Sequence, residues 1–254
     1  MNEWFSVEKL DGQTYVISEN RHWEETRCYL LLGAEKAILI DTGLGVSNIK
    51  AVVDSITDLP VQVVTTHVHW DHIGGHALFD NIAVHELEKA WLTGKFPLPL
   101  SVVKENLTKN DCSFPQGFDV DEYRVFQGEP QVTMKDGDCF DLGNRVLQVI
   151  HTPGHSPGHC CFYEPDRKYL YSGDLVYKGC LYANYASTDP VQYFESIKKV
   201  QKLSINRVLP GHHTIDVQPS IIEAISDALS ELEKEGKLHH GSGLHFYSDF
   251  QIAL

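Results

Sequence analysis

Apolar residues come first in short blocks. "QTYVISE", "CYLLLG" and "KAILIDTG" alternate or run apolar and are divided by turn formers, which predicts an opening β-meander. The period then lengthens: Ile49, Val52, Val53 and Ile56 share one helical face, with Ser47 as the expected cap and Pro60 as the stop. "VQVVTTH" reads as a strand buried on both sides. After "NIAVH", residues 86–131 lose this regularity, with a helix expected around "ELEKAWLTG" and then Pro, Gly and aromatic-rich sequence. Such a stretch is more often a binding loop or lid than a linker.

Regular blocks return as "RVLQVIHTPG", "HCCFYE" and "KYLYSGD". A helix opened by Asp189 and Pro190 carries Val191, Phe194, Ile197, Val200 and Leu203 at helical spacing. "NRVLPG" is the last strand expected, and the final helix begins with a capping-box pattern, Ser220 to Glu223, and ends at Gly236. The order of meander, buried strand, polar loop and helix occurs twice. It predicts an α/β fold of two mixed β-sheets flanked by helices, one domain over 1–254, with residues 86–131 as a substrate-covering insertion.

Composition narrows the functions. A chain of 254 residues that is 42% apolar can bury a sizeable core. No apolar run is long enough for a membrane span, and "MNEWFSVEKLDGQ" lacks the features of a signal peptide. Six scattered cysteines without a C-x-x-C pair fit a reducing compartment, so the expected location is the cytoplasm. A formal charge of −14 disfavours nucleic acid and leaves a small molecule as the expected partner.

The chemistry sits at strand ends. "THVHWDHIGG" places His67, His69, Asp71 and His72 on the loop after a buried strand. Imidazole and carboxylate are zinc donors, and four of them in six residues suit two ions better than one. "TPGHSPGH" offers His155, "YSGDL" offers Asp174 and "LPGHH" offers His212, each after an apolar strand. His76, His85, His151, His159, His213 and His245 read as structural.

With its H-x-H-x-D-H, H, D, H order, the chain resembles the metallo-β-lactamase superfamily from "ILIDTG" to "VLPGHH". The resemblance implies an αββα sandwich and two divalent metals, zinc first, with manganese or iron as alternatives. It implies that His67, His69 and His155 hold one ion, that Asp71, His72 and His212 hold the other, and that Asp174 bridges them. A metal-bridging hydroxide would then be the nucleophile, Asp71 a proton donor, and Asp41 an acceptor that orients a ligand imidazole, the alternative for Asp41 being a plain turn residue.

Asp174 stands where zinc β-lactamases usually carry cysteine, which argues against antibiotic hydrolysis. "THVHWDHIGG", "HTPGHSPG" and "SGDLVYKGCLY" look closest to the acyl-CoA thioesterase branch. The implied activity is hydrolysis of a small ester or thioester, with Lys178 meeting an anionic part of the substrate. Lactonase, glyoxalase II-like thioesterase and small phosphodiesterase share the same metal kit. A mononuclear iron dioxygenase like the persulfide dioxygenases is the alternative of another class.

Overall fold

The computed structural model describes residues 4–254. The chain forms two compact units. One runs to Met134 and includes Asp141–Arg145; the other comprises Lys135–Phe140 and Val146–Leu254.

The first unit contains β1 (Ser6–Lys9), β2 (Thr14–Ser18), β3 (Arg27–Leu32), β4 (Ala37–Ile40), α1 (Ile49–Asp54), β5 (Val61–Val64), α2 (Trp70–Ile73), β6 (Ile82–His85), α3 (Lys89–Leu92), α4 (Leu100–Leu107) and β7 (Val132–Met134). Its seven strands lie in chain order across one sheet. The first four pair antiparallel, and β4 to β7 pair parallel. Parallel neighbours end at the same edge: Ile40 sits opposite Val64, so the loops that begin at Asp41 and Thr65 leave the sheet side by side. Ligands of open α/β sheets gather outside such carboxyl ends.

The second unit contains β8 (Cys139–Asp141, its last residue counted with the first unit), β9 (Val146–His151), β10 (Cys160–Glu164), β11 (Tyr169–Gly173), β12 (Cys180–Tyr182), α5 (Pro190–Val200), β13 (Arg207–Pro210), α6 (Ser220–Lys234), β14 (Leu244–Phe246) and β15 (Gln251–Ala253). Five strands form a sheet in the order β13-β11-β10-β9-β8, and three form another in the order β12-β15-β14. β11 and β13 run parallel with Gly173 opposite Pro210, so Asp174 and His212 also follow neighbouring strand ends. Ile197, Val200, Ile225 and Leu229 join Leu170, Val208, Leu181 and Ile252 in one apolar core.

Several expected elements differ in detail. The cap of α1 is Asn48, whose side chain accepts from Ala51 N, and not Ser47. α6 starts after Pro219 with no side-chain cap, so Ser220 lies inside the helix and the capping box does not form. Val191 is exposed and Tyr193 takes the buried position, because the apolar face of α5 is rotated from the one the spacing suggested. The segment 86–131 contains α4, which the flanking Pro97 and Pro99 disguised; its Val103 and Leu107 pack with Trp4, Trp70 and Tyr123. β13 is not the last strand, since β14 and β15 follow α6.

Candidate metal centre

In the first unit the site is built on Asp41. Its φ of 59° places a non-glycine residue in the left-handed region, where it turns the chain out of β4. Its Oδ1 accepts from Thr66 N at 2.7 Å, and its Oδ2 accepts from the Thr66 hydroxyl at 2.6 Å and His72 Nδ1 at 2.8 Å. A carboxylate can only accept, so His72 carries its proton on Nδ1 and has an unprotonated Nε2, 3.7 Å from Asp71 Oδ2.

The same logic fixes His67. The Thr66 hydroxyl proton is committed to Asp41, so His67 Nδ1, 3.0 Å from Thr66 Oγ1, is the donor and its Nε2 keeps the lone pair. That nitrogen lies 2.9 Å from His69 Nδ1. Buried Glu88 accepts from Val68 N and so holds the backbone between the two histidines. Trp91 lies against His69, with ring centroids 6.2 Å apart and planes 10° from parallel.

The loop after α2 closes tightly on residues 42–45. Thr42 N donates to His72 O and Gly74 N to Gly43 O, both at 2.8 Å. A Cβ on Gly74 would overlap Leu44 backbone, so the second half of "HIGG" leaves room for this approach. Behind it, Glu19 accepts from Trp4 Nε1 and Leu44 N, and burial lifts its carboxyl to about 7.

In the second unit, two imidazoles meet one carboxylate oxygen. His155 Nε2 lies 3.4 Å and His212 Nε2 3.2 Å from Asp174 Oδ2. His155 Nδ1 donates to Tyr182 O at 3.1 Å, which again leaves the lone pair on Nε2. His159 accepts from Asp174 N through Nε2, while its Nδ1 pairs with Thr152 Oγ1.

Helix α5 supports both loops of this set. Asp189 N donates to Gly154 O at 2.8 Å, and Ser196 Oγ to Pro153 O at 2.6 Å. Tyr193 OH donates to Leu175 O at 2.6 Å. Gly154, at φ 132°, lies so near Tyr193 that any Cβ would overlap the helix backbone.

The remaining histidines have structural partners. His76 sits between the Thr42 and Thr65 hydroxyls, and burial depresses it to about 3, so it stays neutral. His85 accepts from Leu87 N, His151 pairs with Pro157 O, and His245 pairs with Ser242. His213 packs its ring on Tyr177. Lys178 lies 3.5 Å from Asp249 and is about a third exposed.

Each cluster therefore presents imidazole nitrogens and a carboxylate, with the tautomers of His67, His72 and His155 set by a second partner. That donor chemistry fits a divalent metal ion. The supporting residues Glu88, Glu19, Tyr193, Ser196 and the Tyr182 carbonyl were absent from the sequence reading. Glu88, Glu19, Tyr193 and Ser196 reach backbone groups far away in the chain, and the Tyr182 carbonyl reaches the His155 imidazole, relations that leave no local pattern.

The family model for the metallo-beta-lactamase superfamily matches residues 23–212. "Acyl-coenzyme A thioesterase MBLAC2" from Bos taurus is 34% identical over 271 aligned positions, covering 99% of this chain and 95% of that protein. The Homo sapiens protein of the same name is 32% identical, again over 99% and 95%. Among solved structures, a metallo-beta-lactamase from Pontibacter korlensis aligns with a TM-score of 0.65 at 22% identity, covering 89% of this chain and 99% of that one. The fold is thus the metallo-β-lactamase fold, and with a matching family model over most of its length the chain belongs to the metallo-β-lactamase superfamily.

Proposed function

We propose that His67, His69 and His155 hold one divalent ion, that Asp71, His72 and His212 hold a second, and that Asp174 serves both. Zinc is the first choice, with manganese or iron as competitors. In support, the first unit brings His67, His69, Asp71 and His72 together and the second brings His155, Asp174 and His212 together, each a set of imidazole and carboxylate donors suited to an ion. When bound, such ions polarise a carbonyl and make water nucleophilic near neutral pH.

The reaction is hydrolysis of a small-molecule thioester or ester, acyl-CoA first. Water adds its oxygen to the carbonyl carbon, the carbon–sulfur bond breaks, and the products are a carboxylic acid and a thiol. Asp71 would hold the second ion through one carboxylate oxygen and pass the proton of the attacking water to the departing sulfur through the other. Asp41 and the Tyr182 carbonyl keep His72 and His155 turned toward the reacting groups. Trp91, against His69, makes residues 86–131 one wall over the substrate. Lys178 meets an anionic part of it. Six free thiols support the cytoplasmic location.

The observation that carries this reading is the fixing of tautomers: His67, His72 and His155 each donate from Nδ1 to a neighbour, so that the lone pair an ion would take is on Nε2. The experiment measures bound metal by elemental analysis and compares acyl-CoA, a glutathione thioester, an acyl lactone and a phosphodiester. We expect close to two metal equivalents and the highest kcat/KM for acyl-CoA. One equivalent of iron after metal supplementation, with oxygen uptake on a persulfide, would replace this reading with the dioxygenase. Preference for the phosphodiester would replace the thioester.

A further inference from the structure

The parallel pairing of β5 with β6 brings two segments out at one edge of the first unit. Val64 sits opposite Ala83, and Thr65 N donates to Ala83 O, so residues 65–69 and 86–92 leave the sheet side by side. The second segment opens as a tight turn, Glu86–Glu88, capped by the His85 side chain, which accepts from Leu87 N, and it continues into α3. Glu86, Leu87, Lys89 and Ala90 are exposed there. Glu88, between them, is fully buried.

A carboxylate taken out of water needs strong partners, and Glu88 has one in the amide of Val68, the residue between His67 and His69. One helical turn puts positions 88, 91 and 92 on the same side. Trp91 lies along the His69 ring, and Leu92 shares an apolar cluster with Val68, both of these aliphatic side chains being fully buried. One turn thus holds the Val68 backbone, the Val68 side chain and the His69 imidazole. Residues 67–69 belong to no helix or strand, and His67 Nε2 lies 2.9 Å from His69 Nδ1. A rotation of the peptide at Val68 would carry the two rings apart.

We propose that Glu88 is a positioning residue for the ion of His67 and His69: it locks the Val68 peptide so that both imidazoles converge. The first turn of the segment 86–131 thereby serves the metal centre as well as the wall over the substrate. This rests on the reading of His67 and His69 as partners on one ion. What matters is where the acceptor oxygen sits, because an amide oxygen at the same place takes the same N–H.

The experiment titrates cobalt(II) into the metal-free chain and follows its visible absorption, which reports the ligands as well as the affinity. Glu88→Gln keeps the length and an acceptor, whereas Glu88→Asp keeps the charge and withdraws the oxygen by one methylene. Glu88→Ala removes the oxygen altogether and repeats the test should Glu88→Asp fail to fold by circular dichroism. Val53→Ala, a core truncation in α1, is the control for lost stability, ranked by urea titration. We expect two binding steps in the wild type. Glu88→Asp weakens one of them about tenfold, alters its cobalt spectrum and leaves the other within about twofold, while Glu88→Gln and Val53→Ala leave both. His69→Ala removes the step that Glu88→Asp weakens, and adding Glu88→Asp to it changes nothing further.

Two unchanged steps in Glu88→Asp overturn the proposal while the two-ion reading stands. So does equal weakening in Glu88→Gln, or in Val53→Ala at matched stability, which would make the effect one of charge or of general loosening. If the wild type binds one cobalt, and His69→Ala and Glu88→Asp each weaken it, Glu88 keeps its role and the two-ion reading falls. If His69→Ala leaves every step intact, both fall.

Discussion

Asp41 accepts three hydrogen bonds with two oxygens, from Thr66 N, the Thr66 hydroxyl and His72. Asparagine keeps the shape but puts an amide N–H where one of these donors needs an acceptor. Asp41→Asn should therefore fold and hold metal about 10 to 100-fold less tightly, read by competition with a chromophoric chelator. Unaltered affinity would reduce Asp41 to a turn residue. His76 yields a second test, with a definite sign. Its folded-state pKa of about 3 lies below the ordinary 6.5, so the unfolded chain binds a proton that the folded one refuses. The stability it contributes is complete above pH 6.5 and is lost as pH falls from there toward 3. His76→Gln, which cannot titrate, should lose less stability between about pH 7 and 5 than the wild type in urea titrations. Parallel losses would mean that other groups govern the slope. At this scale the donors were legible, because His and Asp beside Gly or Pro at the ends of apolar runs are uncommon. Glu88 was not, since a buried carboxylate in "ELEKAWLTG" looks like any solvated helix residue until Val68 N is found on it.

Among elements, α5 does more than fill the core. Through Asp189, Tyr193 and Ser196 it fastens the loops that carry His155 and Asp174, so the order of those loops depends on one helix. Tyr193→Phe removes the donor to Leu175 O and leaves that carbonyl buried, at a cost of about 1–3 kcal/mol. Denaturant unfolding should show that loss, and chelator competition should show weaker metal binding in protein that is still folded. Full metal affinity at reduced stability would confine Tyr193 to the core. α5 was readable because Asp189 and Pro190 are a start signal that its backbone obeys: the Asp189 side chain accepts from Val191 N and Gln192 N. α4 and the strands β14 and β15 were not. α4 begins directly after Pro99, which reads as a breaker from sequence alone, and each of the two strands has three residues, too few for a period of two to declare itself.

For the whole molecule, charge sets a condition on catalysis. An acyl-CoA is anionic, and a chain with a net charge of −14 repels it over distances that salt shortens. Lys178 is offset by Asp249 at 3.5 Å and does little to reverse that field. The kcat/KM for acyl-CoA should therefore rise as ionic strength goes from about 0.01 to 0.1 M, while that for a neutral thioester of the same acyl group stays level. A fall for acyl-CoA would reveal a steering patch of positive charge. The two-fold recurrence of meander, strand and helix was visible in the apolar pattern, and the two compact units correspond to it. Their boundary was not visible, because it is crossed by a short return of the chain.

That return has a consequence for synthesis. Arg145 belongs to the first unit although its last continuous residue is Met134. Its buried guanidinium donates to Gln13 O, Leu32 O and Thr14 Oγ1, and Glu35 N donates to Leu142 O. A ribosome that has just released Met134 has made His67, His69, Asp71 and His72, but the β2 and β3 end still lacks the side chain that closes it. The amino-terminal half becomes complete only after part of the next half has been translated. A gene cut at 134 would encode a fragment missing its own fastening, whereas a split after residue 145 would carry it intact.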